Sequence, residues 1–278
     1  MLDKVWEVPE GTDGPTPKPV VFIHGLWLHA ESWKPWVDYF NKNGYAASAV
    51  NWPGDGHNTG ATRENPSSVA GYGVEEIAHY ITGEIAKLPE RPILIGHSFG
   101  GLIAQLLLGL DLAAAAIAID PAPIQGVLVL PFPALKAAFP VLRNPLNFNN
   151  AISLTEPEFR FAFANARPVH EAKELWAKYA IPAPARPIFQ AATANLNPFA
   201  VTKVNTANAT RGPLLLTAGL EDNTVPPAMV RSAFALYAKS PAVTELKEFP
   251  RRGHSLTIDG GWLDIAEACL HWLREKKL

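Results

Sequence analysis

The sequence predicts an α/β fold in which a doubly wound, mostly parallel sheet carries an inserted helical cap. Short apolar runs alternate with amphipathic helical patterns in both halves of the chain, which is typical of a parallel sheet covered on both faces. The alternation stops between residues 121 and 211, where helical patches are separated by prolines. We therefore assign residues 1–120 and 212–278 to the core and residues 121–211 to the cap.

Each core element rests on a local pattern. Apolar runs predict strands at 19–23, 46–50, 93–95, 114–119, 213–218 and 243–249. Helical periodicity predicts helices at 33–43, 66–88, 102–108, 228–238 and 262–273. In the second of these helices Val74, Ile77 and Ile81 recur at steps of three and four, the spacing of one helix face. Ahead of Val20, only residues 5–8 show a strand pattern.

The cap segment is predicted to hold helices at 134–142, 158–165 and 169–179 and many aromatic side chains. Such rings supply enough apolar surface to wall a pocket above the strand ends. The pocket candidates are one core residue and four cap residues: Trp27, Phe132, Phe159, Phe163 and Trp176. For each cap ring, packing inside the cap is the alternative, because helical spacing suits either role.

Composition excludes several classes of partner. With 48% hydrophobic residues, 18% charged residues and a formal net charge of −2, the chain offers no large basic field for nucleic acid or anionic lipid. A small neutral molecule is the expected partner. The single cysteine, Cys269, rules out a disulfide within the chain. The sequence carries no signal for the oligomeric state.

Two observations bear on location. Residues 1–6 lack the apolar core of a signal peptide, so we expect a cytoplasmic protein. The longest apolar run, from residue 113 onward, is broken by Pro121, Pro123 and Gly126 before it approaches the roughly 20 residues that span a bilayer. A membrane-spanning segment is therefore not expected.

Ser98 is the candidate nucleophile. It stands in a G-x-S-x-G pattern, residues 96–100, which follows the strand at 93–95 and precedes the helix at 102–108. Glycines two positions before and after the serine permit a tight turn that lifts the hydroxyl clear of the backbone. The alternative is a glycine-rich turn with a surface serine, and the strand–turn–helix setting favours the nucleophile.

A serine hydroxyl needs a neutral imidazole to take its proton, and the imidazole needs a carboxylate to hold its tautomer. His254 is the candidate base, because Gly253 lets the loop between the last strand and the last helix lean over the strand ends. His57, in the loop after the second strand, is the main alternative. His79 and His271 fall within predicted helices.

Asp222 is the candidate acid. It lies in a turn after the strand at 213–218, at the carboxyl end of the sheet, where open α/β folds place their sites. Asp120 competes with it because it also follows a predicted strand directly. A turn-capping role is the alternative for Asp222.

Two backbone N–H groups are candidate donors to the oxyanion of acyl transfer, where one such hydrogen bond contributes about 3 kcal/mol. Phe99 follows the nucleophile and begins a helix, where N–H groups are unpaired and the dipole favours negative charge. Leu26 lies just past His24 and Gly25, and Trp27 is the less favoured donor. The alternative is that His24 and Gly25 only turn the chain.

The chain order Ser98, Asp222, His254 resembles the α/β-hydrolase superfamily. The resemblance spans nearly the whole chain and rests on the motifs at 96–100, 219–226 and 253–255. It implies the α/β-hydrolase fold, with Ser98 as nucleophile, His254 as base and Asp222 as acid. The region before Val20 is shorter than in the superfamily pattern, and Asn51 stands where many relatives carry Asp.

The elbow serine narrows the chemistry that the resemblance implies. Relatives that open epoxides or carbon–halogen bonds carry Asp there, and dienelactone hydrolases carry Cys. Esterases, lipases, lactonases, carbon–carbon bond hydrolases and perhydrolases keep Ser. We expect hydrolysis of a small to medium hydrophobic carboxylic ester or lactone through an acyl-enzyme, with no metal and no organic cofactor.

Alternatives to ester hydrolysis stay open. Carbon–carbon hydrolase or perhydrolase chemistry would use the same triad. A lyase resembling the plant hydroxynitrile lyases shares the elbow serine, although those relatives carry a lysine near the base and this chain has Arg251 and Arg252. Outside enzymes, the alternative is a small-molecule receptor that keeps a hydrolase pocket.

Overall fold

A sheet of parallel strands organises the structure, a computed structural model that describes residues 17–278. In chain order the strands are β1 (Pro19–Ile23), β2 (Ala46–Val50), β3 (Ile93–His97), β4 (Ala115–Ile119), β5 (Ala151–Ile152), β6 (Ala183–Pro184), β7 (Leu214–Gly219) and β8 (Thr244–Phe249). Six of them form the main sheet in the order β2-β1-β3-β4-β7-β8, with every neighbouring pair parallel. The strand predicted at 5–8 lies outside the described residues.

The helices connect these strands. They are α1 (Lys34–Lys42), α2 (Thr59–Glu64), α3 (Val74–Ile85), α4 (Phe99–Gly109), α5 (Phe132–Leu142), α6 (Glu156–Ala162), α7 (Val169–Tyr179), α8 (Arg186–Thr193), α9 (Pro227–Leu236) and α10 (Trp262–Glu275). Among the described residues, none of these helices combines the length and the apolar character that crossing a bilayer requires.

Alternate residues of the central strands point to opposite faces of the sheet and pack into two apolar layers, one on each face. In β1, Val21 and Ile23 pack on one face of the sheet and Val20 and Phe22 on the other, and all four are buried. Side chains of α3, α4 and α9 cover the first face, and those of α1 and α10 cover the second. Burying one such side chain contributes about 1.5–3 kcal/mol. The predicted doubly wound parallel sheet is confirmed.

The helix predicted at 66–88 is shorter than its periodicity suggests. A 3-10 turn at Pro66–Val69 comes first, and α3 begins only at Val74. Between them Gly71 has a φ of +79°, in the left-handed region that a right-handed helix excludes. The Glu76 carboxylate accepts the Gly73 N–H at 3.0 Å, which caps the new start.

Residues 121–211 contain α5 to α8 and an antiparallel ribbon of β5 and β6. Trp27 ties this segment to the core, because its indole Nε1–H donates to the Ile152 carbonyl at 2.9 Å and its own carbonyl accepts the Ile181 N–H at 3.0 Å. The ribbon and the short helices α2 and α8 were not predicted, because elements this short leave little periodicity to detect.

Parallel strands bring distant residues to one edge of the sheet. Ser98 follows β3, Asp120 follows β4, and Asp222 and His254 lie in the loops after β7 and β8. β3, β4, β7 and β8 are consecutive in the sheet, so these loops are neighbours. The helical segment at 121–211 lies across this edge and encloses a pocket that reaches Ser98.

Candidate active site

Ser98 occupies a strained turn between β3 and α4. Its backbone has a φ of 55° and a ψ of −121°, a conformation that costs an L-residue about 1–3 kcal/mol and persists only where neighbours enforce it. Its N–H donates to the Ile119 carbonyl at 2.9 Å, and its carbonyl accepts the Ala122 N–H at 2.9 Å. A Cβ at Gly96 would lie 2.1 Å from the carbonyl oxygen of Gly100, so the turn closes only with glycine there.

His254 and Asp222 form a buried pair. The His254 Nδ1 atom lies 2.6 Å from an Asp222 carboxylate oxygen, and both side chains are fully buried. The other Asp222 oxygen accepts the N–H groups of Thr224 at 2.7 Å and Val225 at 2.8 Å. These bonds fix the carboxylate and place the imidazole proton on Nδ1. In this tautomer Nε2 carries a lone pair, and no protein group among the described residues bonds to it.

Two rings hold the His254 imidazole in place. Phe163 of the helical segment meets it edge-on with ring centroids 4.8 Å apart, and the ring of His97 lies 4.5 Å away. Burial, followed by the neighbouring His254, keeps the pKa of His97 well below its ordinary value, so His97 packs as a neutral ring. The carbonyl of Phe163 also accepts the N–H of Ser255, the residue after His254, at 2.8 Å.

The loop after β1 passes directly beside the serine. A Cβ at Gly25 would lie 2.7 Å from Ser98 Cβ and 3.3 Å from Ser98 Oγ, so the close approach requires glycine. In the described part of the chain, the N–H groups of Leu26 and Phe99 donate to no other protein group. Phe99 is the first residue of α4, where the helix dipole favours an anion.

Asp120, the competing acid, is fully buried but does not bond to His254. Both of its carboxyl oxygens lie 3.1 Å from the Gly219 nitrogen, and Thr217 Oγ1 lies 3.4 Å from one of them. Burial, and then the neighbouring Asp222 carboxylate, raise the pKa of Asp120 well above its ordinary value.

Asp120, Asp222 and His254 each offer one atom within 4.8 Å of the others, a grouping that the sequence spacing did not indicate. Metal ions often bind between such atoms. Here His254 Nδ1 carries the proton that it donates to Asp222 at 2.6 Å, so this nitrogen has no free lone pair to offer an ion. We interpret the grouping as a hydrogen-bonded cluster.

The family assignment rests on nearly the whole chain. The model of the Alpha/beta hydrolase family matches residues 20–267, from β1 into α10. The chain belongs to the alpha/beta hydrolase family. This membership confirms the resemblance inferred from the motifs.

Solved structures share the architecture of this α/β hydrolase. A monoacylglycerol lipase of Paleococcus ferrophilus aligns over 93% of this chain and 95% of its own, with a TM-score of 0.62 and 22% identity. An extracellular α/β-hydrolase of a Paenibacillus species, described as sharing structural and functional homology with tobacco salicylic acid binding protein 2, aligns over 92% and 98%, with a TM-score of 0.67 and 23% identity. At such identities the likeness concerns the fold.

One curated relative is similar over a limited stretch. The (E)-2-((N-methylformamido)methylene)succinate hydrolase of Acinetobacter baylyi is 32% identical to this α/β hydrolase over 87 residues. The alignment spans 31% of this chain and 30% of that hydrolase. The chain therefore matches less than a third of that relative's length.

The pocket of this α/β hydrolase is apolar and begins at the serine. Ser98 and Phe99 lie at its core side together with Trp27 and Met229. Its opposite wall comes from α5 and α8, which contribute mainly alanine, leucine and isoleucine side chains. Within the described residues no charged side chain lines it. The cavity therefore suits an uncharged, largely apolar group.

The five predicted pocket residues occupy different places. Trp27 lines the pocket. Phe159 and Phe163 stack with centroids 4.8 Å apart in the buried interior, behind His254. Phe132 is 75% exposed and lies outside the lining. Trp176 borders a separate groove, where its Nε1–H donates to the Leu154 carbonyl at 3.0 Å.

Small side chains form the wall that the aromatic residues were expected to supply. In α5, Ala134, Ala138 and Leu142 recur at steps of four and all line the pocket. Ile188 and Ala191 of α8 complete this wall. The four-residue spacing in α5 is visible in the sequence, but packing between helices would produce the same spacing. The helix α8 was not predicted.

The alternative histidines lie in other networks. His24 Nε2 lies 3.1 Å from an Asp55 oxygen, and its ring stacks on Trp52 with centroids 4.8 Å apart. His29 Nε2 lies 3.1 Å from the Gly56 carbonyl oxygen. His57, the main alternative base, is exposed and borders a surface depression that does not include Ser98.

Proposed function

We propose that this α/β hydrolase cleaves small to medium hydrophobic carboxylic esters, including lactones, through an acyl-enzyme on Ser98. His254 is the general base and Asp222 the acid that orients it. The observation that carries the proposal is the buried 2.6 Å bond between His254 and Asp222, which leaves Nε2 without a protein partner among the described residues. The loop that holds His254 ends at the same edge of the sheet as the strained Ser98, which lines an apolar pocket. Ordinary side-chain packing does not need this combination.

The proposed reaction begins when Ser98 Oγ attacks the ester carbonyl carbon. His254 Nε2 takes the hydroxyl proton, and Asp222 stays ionised and stabilises the imidazolium. The negative charge moves to the carbonyl oxygen, where the N–H groups of Leu26 and Phe99 donate to it, each contributing about 3 kcal/mol. Collapse of this intermediate breaks the ester C–O bond, and the leaving alkoxide takes the proton from Nε2.

Water completes the cycle by the same path in reverse. His254 Nε2 takes a proton from the water as its oxygen attacks the acyl carbon. The second tetrahedral intermediate collapses, the carboxylic acid leaves, and Ser98 Oγ regains its proton. Every proton in this sequence passes through one nitrogen, so the fixed Nδ1 tautomer matters in both halves.

The apolar lining supports a neutral substrate. The name of the Acinetobacter relative indicates a succinate derivative, and recognition of such carboxylates commonly relies on Arg or Lys. The described lining contains neither residue, and small aliphatic side chains dominate it. An alkyl or aryl ester places comparable apolar surface against that wall.

The arginines near the base support hydrolysis over the lyase alternative. Arg252 is paired with Asp259 at 3.1 Å and Asp264 at 2.6 Å, and its guanidinium also donates to the Gly261 carbonyl. All of these contacts lie at or just before the start of α10. Arg252 does not take the place of the lysine that hydroxynitrile-lyase relatives carry near the base.

The test is hydrolysis of p-nitrophenyl esters from acetate to decanoate, compared with the Ser98→Ala variant. Ser67→Ala, in an exposed turn, is the matched control. We expect turnover by the wild type and by Ser67→Ala, and a loss of about 10⁴-fold or more in Ser98→Ala. Retained turnover by a folded Ser98→Ala variant would contradict the role of Ser98.

A further inference from the structure

We propose that Asp120 is a positioning residue that keeps its proton and donates a hydrogen bond to Asp222, holding that carboxylate against His254. The inference rests on the proposed triad and adds a fourth member to it. Among the described residues, the Asp120 carboxyl group bonds to Gly219 and Thr217 and not to Ser98, and Asp120 does not line the substrate pocket. It acts only through Asp222.

Geometry brings the two carboxyl groups together. Asp120 follows β4 directly, with a φ of 43°, and Asp222 lies in the turn after the neighbouring β7. Both side chains are buried, and atoms of the two carboxyl groups and His254 lie within 4.8 Å of one another. Two ionised carboxylates at this range in a buried site repel strongly, so the pair retains one proton.

The donors around each group decide which of them carries the proton. Asp222 accepts bonds from His254 Nδ1–H and from the N–H groups of Thr224 and Val225, all between 2.6 and 2.8 Å. These three bonds favour the ionised form. From the described residues Asp120 receives only the Gly219 N–H, shared between its two oxygens, and a long contact from Thr217. The proton therefore resides on Asp120.

Within residues 17–278, no cation near Asp120 compensates a second negative charge. The ionisable groups that face it are Asp222 from the turn after β7 and His254 from the loop after β8. His97, at the end of the neighbouring β3, packs against His254 as a neutral ring. Arg252, in the loop after β8, directs its guanidinium to Asp259 and Asp264 instead.

The protonated Asp120 has a function that a hydrophobic residue lacks. Its O–H supplies a donor to a carboxylate that, in the described part of the chain, otherwise bonds only to its own turn and to His254. Asparagine reproduces this arrangement, because its amide oxygen accepts the Gly219 N–H while its NH₂ donates to Asp222. Leucine fills the same space without a donor. The two substitutions therefore separate hydrogen bonding from packing.

The activity test compares kcat/KM of Asp120→Asn and Asp120→Leu on a p-nitrophenyl ester near neutral pH. We expect Asp120→Asn to stay within about threefold of the wild type and Asp120→Leu to lose about 10- to 100-fold, the range seen when residues that orient a functional side chain are removed. Equal losses in both variants would overturn the proposal, because a carboxyl group itself would then be required.

The stability test needs no turnover and so separates this inference from the proposed function. In the unfolded chain Asp120 ionises near pH 4, whereas in the folded protein it keeps its proton to higher pH. At Asp120 the folded state therefore binds more protons, so the contribution of this group to wild-type stability falls as pH rises above about 4. Asp120→Asn removes this effect. The melting temperature of the variant minus that of the wild type should therefore increase as pH increases.

Thermal unfolding from mildly acidic to mildly alkaline pH measures this gain, with Ser98→Ala as an inactive control that keeps the Asp120–Asp222 pair. A difference in melting temperature between Asp120→Asn and the wild type that widens with pH supports the proposal, even if no ester is turned over. A difference that stays constant with pH would overturn it, since Asp120 would then be ionised in the folded protein.

Discussion

The approach of Gly25 to Ser98 makes Gly25→Ala a sharp test of the proposed oxyanion site. The added methyl would lie 2.7 Å from Ser98 Cβ and 2.9 Å from the His97 carbonyl oxygen. Ordinary contacts begin near 3.4 Å, so the loop after β1 must retreat by about 0.7 Å. That retreat moves the Leu26 N–H away from the position of the oxyanion.

The expected loss follows from this geometry. Removing one oxyanion donor costs about 10²- to 10³-fold in kcat. KM should change less, because α5 and α8 form the pocket wall opposite the loop. Crowding in a packed site should also lower the free energy of unfolding by about 1–3 kcal/mol.

Steady-state kinetics on a p-nitrophenyl ester and thermal unfolding measure both effects. Gly83→Ala is the matched control, because Gly83 lies in α3 and a Cβ there would meet nothing within 4 Å. It should keep wild-type kcat and gain up to about 1 kcal/mol of stability, since alanine favours a helix. A folded Gly25→Ala variant with wild-type kcat would refute the placement of the oxyanion site.

Three further predictions concern the acid, the pocket wall and the cysteine. Asp222→Asn should fold but lose about 10⁴-fold in kcat, because an amide disturbs the imidazole tautomer, and wild-type kcat would contradict the triad. Ala138→Phe should lower kcat/KM for decanoate more than for acetate by filling the pocket from α5, and an equal effect on both esters would place the acyl chain elsewhere. Burial raises the pKa of Cys269 to about 12, so a disulfide reagent at mildly alkaline pH should react only after unfolding, and rapid reaction of the folded protein would contradict that burial.

The sheet was predictable because its signals are local. Strands such as β1 and β3 are short, buried apolar runs. Glycines at or just after their ends, Gly25 and Gly96, signal the turns that follow. The edge strand β2 is partly exposed, yet its short apolar run after the predicted helix at 33–43 identified it. The start of α3 was placed too early, because the hydrophobic period does not record that Gly71 leaves the helical region.

The candidate site was predictable only in part. Ser98 and His254 each stand beside glycines that mark their loops, whereas Asp120 and Asp222 are alike in sequence because both follow buried strands. The difference between them is three-dimensional, since Asp222 meets His254 Nδ1 and Asp120 meets the Gly219 N–H. Their roles stay predictions until the variants are measured.

The pocket wall was not predictable from composition. Aromatic residues such as Phe159 and Phe163 were expected there because of their area, but in the structure that area packs against His254 and the interior of the helical segment. Small residues of α5 face the cavity instead. Which side of a cap helix faces the site depends on how the helices pack together, and periodicity alone does not specify it.

The central claim is that Ser98 is the nucleophile that accepts the acyl group. Phosphorylation of the serine by diethyl p-nitrophenyl phosphate tests this claim most directly. We predict release of one equivalent of p-nitrophenolate per protein, loss of esterase activity in step with it, and a diethylphosphoryl adduct on the peptide that contains Ser98. Stoichiometric labelling at any other residue, or unimpaired ester turnover by a fully labelled protein, would contradict the claim.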